Sequence, residues 1–112
     1  MSAAGIGGIP STLSAVRVLF ALHPDAGSFS IAPGAHAAQP LDVMSQADGL
    51  VGAEVFATVD PKNNSKLAKD LVKLAGRAEQ HRYVFFASPR FPGTTRRPQL
   101  ERGGVQVWSV DV

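Results

Sequence analysis

Asp42 and Glu54 are the residues whose type and spacing could do chemistry. Asp42 opens a predicted strand beginning Pro40-Leu41-Asp42-Val43-Met44, and Glu54 sits midway along the next, Leu50 to Val59. Asp48-Gly49 between them is a tight-turn signal, so the two acids fall on neighbouring strands. Side chains two apart on a strand share a face, which groups Gly52, Glu54, Phe56 and Thr58 against Val51, Ala53, Val55 and Ala57. A carboxylate among so many apolar residues is costly unless it is paired, bound to metal or near a sheet edge. Two such carboxylates could hold Mg²⁺ with waters completing its shell, and the ion could activate water against a phosphodiester. The plainer readings are a water-exposed acid at a strand end for Asp42 and an edge or solvent-face residue for Glu54.

Other chemistry-bearing residues are less organised. Arg90, Arg96, Arg97 and Arg102 cluster in one long connection, where guanidinium forks could grip phosphate; Thr94 and Thr95 add hydroxyls. The plainer reading is a solvated loop. His23, His36 and His81 are scattered without metal-ligand spacing. No serine sits in a GxSxG elbow, and Gly5, Gly7 and Gly8 neither follow a strand nor precede GK[ST], so a serine hydrolase and a phosphate loop are disfavoured. Tyr83, Phe85, Phe86 and Trp108 read as core more readily than as base-stacking platforms.

The elements that must position these groups fit in one domain of 112 residues. Apolar residues make up 45% and charged residues 18%, which excludes a disordered or collagen-like class. Zero cysteines exclude disulfides, thiolate zinc sites and thiol catalysis. There is no apolar run of membrane-spanning length and no signal-like start, a pattern compatible with a cytoplasmic protein. The net charge of +2 hides an asymmetry. Residues 1–60 hold one basic residue and five acids, whereas residues 61–112 hold ten basic residues and four acids. A positive half concentrates polyanions, which names nucleic acid as a partner and leaves a protein partner as the alternative.

Residues 1–10 are small and glycine-rich and read as a flexible lead-in; residues 11–112 read as the domain. Ser11 or Thr12 could cap a helix to Leu22 with Leu13, Val16, Leu19 and Phe20 near one face, stopped by Pro24 and Gly27; a strand over Ala15 to Leu22 is the other reading. Strands are predicted over Ser28 to Ala32, from Pro40 and over Leu50 to Val59, with a turn at Pro33-Gly34. Asn63, Asn64 and Ser65 supply a cap for a strongly amphipathic helix over 65–79. His81 to Ser88 reads as a strand covered on both faces, Pro98 to Arg102 as a short helix, and Val105 to Val110 as a last strand. The order α-β-β-β-α-β-(short α)-β predicts an α/β fold, a three-layer sandwich around a mixed sheet.

This order, with Pro40-Leu41-Asp42 and Glu54-Val55-Phe56, resembles the PD-(D/E)xK nuclease superfamily, the restriction-endonuclease-like fold. The likeness covers about residues 11–112, and the element order carries more of it than the short motif does. It implies a DNA-binding, magnesium-dependent hydrolase with Asp42 and Glu54 as catalytic metal ligands. The motif lysine, however, is Phe56, and the first helix carries no acid. Phenylalanine packs a core and can neither steer water nor stabilise phosphate charge. Either the basic group has moved to the following helix, as Lys66 or Lys69 with Lys62 a weaker candidate, or the fold persists as an inactive binding or interaction module. A different α/β fold, with the two acids unrelated, is the remaining alternative.

Overall fold

The computed structural model describes residues 3–32, 38–63 and 65–112, with side chains of the first helix from Pro10 onward. The expected turn at Pro33-Gly34, His36 and the candidate cap Asn64 lie outside the described residues.

The chain forms an α/β domain: helix α1 (Ala3–Leu22), strands β1 (Phe29–Ile31), β2 (Val43–Ser45) and β3 (Val51–Ala57), helix α2 (Ser65–Ala75), then β4 (His81–Ala87), β5 (Thr95–Arg96) and β6 (Gln106–Ser109). The six strands make one mixed sheet in the order β1-β2-β3-β4-β6-β5. β3, β4 and β6 are parallel neighbours, and β1, β2 and β5 run antiparallel to theirs. α1 covers one face of the sheet and α2 the other. None of the described helices is long and apolar enough to cross a membrane.

The two-residue period assigns the faces. Val51, Ala53 and Val55 of β3 join Tyr83 and Phe85 of β4 under α1. Phe56 joins Val84, Phe86 and the α2 residues Leu67, Leu71 and Leu74 on the opposite side. The central strands are therefore apolar on both faces, as strands covered on both sides must be.

α1 begins before Ser11 and Thr12, so neither caps it. The stripe that meets the sheet is Ser11, Ala15 and Leu19, all fully buried, whereas Leu13 and Phe20 remain about half exposed. Small side chains at one-turn spacing let the helix axis lie close over the bulky Tyr83 and Phe85 rings, and the larger side chains turn outward. Phe20 instead packs edge-on against Phe29, with ring centroids 5.1 Å apart. The helix stops at Pro24 and Gly27 as its sequence implies, Gly27 adopting φ +76°.

α2 ends at Ala75, four residues short of the expected stop. Arg82 of β4 explains the stop: its Nη1 donates to the carbonyls of Leu74 and Ala75, both at 3.1 Å, so acceptors at the helix end find a cationic donor outside the helix. The long connection holds two short elements: the two-residue strand β5 and a single 3-10 turn, Pro98–Leu100, in place of the helix predicted to Arg102. Gly103 and Gly104, both at positive φ, break the chain there and turn it into β6.

The β2–β3 connection sets the site. Gly49 takes φ +71° at the predicted turn. Ser45 locks the turn, its hydroxyl donating to the Ala47 carbonyl at 2.6 Å and accepting from the Val51 amide at 3.0 Å. Val43 then pairs with Ala53 and Met44 with Gly52. One step further along that register sets Asp42 opposite Glu54. Gly52 is needed at its position, because a Cβ there would lie 2.5 Å from Leu41 Cδ1 and 3.0 Å from Glu79 Cγ, both on buried side chains.

Candidate active site

Glu54 points from β3 toward α2 and is 3% exposed. Its Oε1 accepts from Lys73 Nζ at 3.0 Å. Asp42, just ahead of β2, is fixed by the Val55 amide, which donates to its Oδ2 at 2.8 Å. The carboxyl of Glu54 is pushed up to about 7, first by burial and then by the Asp42 charge beside it. Lys73 pulls it part of the way back, and a hydrogen bond between the two acids raises it again. Near neutral pH Glu54 therefore sits close to its midpoint, a consequence of a carboxyl crowded by a second acid in a poorly hydrated place.

α2 presents three charged residues on the face turned toward this pair. Lys66, Asp70 and Lys73 are four and three residues apart, so they line up along one side of the helix. Lys66 Nζ lies 2.9 Å from Asp70 Oδ1. Burial pulls the Lys66 ammonium down, but the hydrogen bond to Asp70 and the charges of Asp70, Glu54 and Asp42 outweigh it, and the net shift is upward. Asp70 is 2% exposed, and its Oδ2 is buried without a hydrogen-bond partner among the described residues. Its carboxyl is shifted up by burial, opposed by Lys66 and reinforced by Asp42.

The structure thus brings Asp42 and Glu54 together, with Lys66 close enough for both acids to act on its ammonium. Lys69 is exposed and forms no ion pair among the described residues. Lys62 lies over the Phe91 ring, 6.0 Å from its centroid. Phe56 is buried and stacked on Phe86, with centroids 6.1 Å apart. Lys73 and Asp70 were not among the sequence candidates. Their signal was present, since Lys66, Asp70 and Lys73 share one helix face, but that face reads as a solvated charge stripe until the acid it meets on the sheet beneath it is known.

The four arginines of the long connection do not converge on the acids. Arg90 pairs with Asp60 at 2.9 Å and Arg96 with Glu101 at 2.7 Å. Arg97 donates to Ser109 Oγ and the Pro92 carbonyl and lies over Phe91. Arg102 donates to the Glu101 carbonyl at 2.7 Å. On the other side of the sheet His23 Nε2 meets the Tyr83 hydroxyl, and the His81 ring lies 4.5 Å from that of His23. Burial and the His81 charge lower the His23 pKa.

Two carboxylates with water filling the remaining positions suit a hard divalent cation that keeps much of its own hydration. The crowding that lifts Glu54 is the electrostatic strain such an ion would relieve. Among the described residues no group of three or more His, Cys, Asp or Glu is placed to hold a metal. No family model, characterised protein or solved structure matches the chain.

Proposed function

We propose that this is a small nuclease-fold protein of the PD-(D/E)xK kind that engages nucleic acid and hydrolyses phosphodiesters with Mg²⁺. One observation carries the reading: the two acids of the motif face each other across adjacent strands, and a lysine from the following helix reaches Glu54 at 3.0 Å. The missing motif lysine at Phe56 then has a replacement in Lys73, which approaches from α2 instead of from β3.

In this mechanism Asp42 and Glu54 would hold the ion, Asp42 pre-oriented by the Val55 amide and Glu54 by Lys73. Bound Mg²⁺ supplies Lewis acidity and a more acidic water. Glu54 would have to shed its proton to bind the ion, so binding would strengthen as pH rises through about 7. The Lys73 ammonium, 46% exposed and therefore reachable by substrate, stabilises charge on the phosphate. Arg90, Arg96, Arg97 and Arg102 contact the nucleic-acid backbone away from the acids, after exchanging their internal partners for phosphate.

Plasmid and single-stranded DNA incubated with 5 mM Mg²⁺ or Mn²⁺ tests the proposal. Cleavage that stops in chelator and is lost in Glu54→Ala and Asp42→Ala proteins is the expected result. Equal cutting by these variants, or cutting in chelator, removes the site from the reaction. The second reading is an inactive module of the same fold that binds nucleic acid or protein, favoured by Phe56 packed into the core where the family places lysine. It gives no cleavage with any metal, together with DNA binding that weakens steeply with salt, or no DNA binding if the partner is a protein.

A further inference from the structure

The side of α2 turned away from the acids forms one wall of a groove of 520 Å³. Leu67 and Leu71 lie at its base, and Ala68, Val72 and Ala75 stand along its rim. The opposite wall is Leu100, from the 3-10 turn, and the Arg102-Gly103 bend. Val72 is 75% exposed. The groove follows α2 for the eight steps from Leu67 to Ala75, about 12 Å at the α-helical rise.

The charges around this groove have one sign. Lys62 lies at the end where α2 begins. Arg102 lies at the other end, where Gly103 comes so close to α2 that a Cβ on it would be 2.9 Å from Ala75 Cβ. Neither cation is in an ion pair among the described residues, and no acid lines the groove. The floor is aliphatic, without the aromatic rings on which bases stack, so its chemistry favours a peptide over nucleic acid. The wall facing α2 is a 3-10 turn and a glycine bend, which offer no open strand edge for an extended peptide to pair with.

We propose that this groove docks a short acidic amphipathic helix from a protein partner. Two turns of such a helix match the groove's length. Apolar side chains at i, i+3 or i+4 and i+7 enter between Leu71 and Leu100, and acidic residues near its two ends meet Lys62 and Arg102. This surface lies on the side of α2 turned away from the acid pair, and Arg102 is the one residue it shares with the arginines assigned above to the nucleic-acid backbone.

Panning a random dodecapeptide display library against the full chain tests it. The expected enrichment is for sequences with apolar residues at helical spacing and at least two Asp or Glu, binding in the micromolar range by fluorescence anisotropy. Val72→Asp and Ala68→Glu, each checked for native circular dichroism, are expected to weaken the enriched peptides tenfold or more. Lys62→Glu combined with Arg102→Glu should weaken them several-fold at low salt. Leu13→Asp, on α1 across the sheet, should leave binding unchanged. Failure to enrich, enrichment without acids, or equal binding to the Val72→Asp and Ala68→Glu proteins overturns the proposal. So does a fluorescent oligothymidylate whose binding is lost in Val72→Asp, since the groove would then be a nucleic-acid surface.

Discussion

Glu54→Gln is expected to be more stable than the native protein at pH 8 and, at the same time, unable to cleave. The native carboxyl sits at about 7 against a reference of 4.5. A group that holds its proton more tightly in the folded state favours folding at low pH. Below about 4.5 the side chain is neutral in both states and costs nothing. As pH rises from there to about 7 the unfolded chain ionises first and stability is lost; above 7 the loss is complete. The full loss is about 3.5 kcal/mol at 1.4 kcal/mol per unit of pKa. Glutamine removes the titration, so the difference between the two proteins isolates Glu54 from Asp70, whose raised pKa gives a slope of the same sign. Losing the Lys73 contact offsets a few tenths of a kcal/mol, because that ammonium is 46% exposed. Urea unfolding at pH 5 and pH 8 should show a difference of less than about 1 kcal/mol at the first and a gain of roughly 3 kcal/mol for the variant at the second. A variant less stable at pH 8 means the Glu54–Lys73 bridge is structural. A residue that costs stability and cannot be replaced without losing activity is what a functional site requires.

The two lysines on the same face of α2 should separate cleanly. Lys73→Met removes the cation that touches Glu54, and cleavage is expected to fall by about a hundredfold, the usual cost of one lost charge-stabilising donor. Glu54 then loses the group that lowers its pKa, so the pH at which activity half-rises should move upward. Stability should change by less than about 1 kcal/mol for so exposed a partner. Lys66→Met behaves in the opposite way. It strands Asp70, already buried with one unpartnered oxygen, and should cost about 1–2 kcal/mol after allowance for the exposure of Lys66, with a smaller effect on turnover. Comparable activity of Lys73→Met and native protein across pH 6–9 would leave Lys73 as a surface ion pair and return the phosphate-stabilising role to Lys66.

The parts of this arrangement that were legible in the sequence are those governed by local rules. Asp42 and Glu54 meet because Asp48-Gly49 makes a turn and because strand side chains alternate; both facts are written in adjacent residues. The same alternation placed Phe56 in the core and put Glu54 on its side of the sheet. The stripe of α1 was legible only in part: Leu19 and Val16 pack on the core as their spacing implies, but the same spacing favours Leu13 and Phe20, whereas the packing selects small Ser11 and Ala15 under the rings of β4. The end of α2 is set by Arg82, which belongs to the next strand. β5, two residues long, is too short to show any period. Lys73 was hidden for a related reason: which of four charged residues on a helix faces an acid depends on how that helix is rotated on the sheet. The rotation is fixed by Leu67, Leu71 and Leu74 packing on Val84 and Phe86.

The most direct measurement is the titration of the Glu54 carboxyl itself, followed by carbon-detected NMR on ¹³C-glutamate protein with and without 10 mM Mg²⁺. Without the ion its midpoint should fall near 7. With Mg²⁺ it should drop by at least one unit, and the drop should vanish in Asp42→Asn. A midpoint near 4.5, or one that Mg²⁺ leaves unmoved, would show that the two acids do not form a cation site.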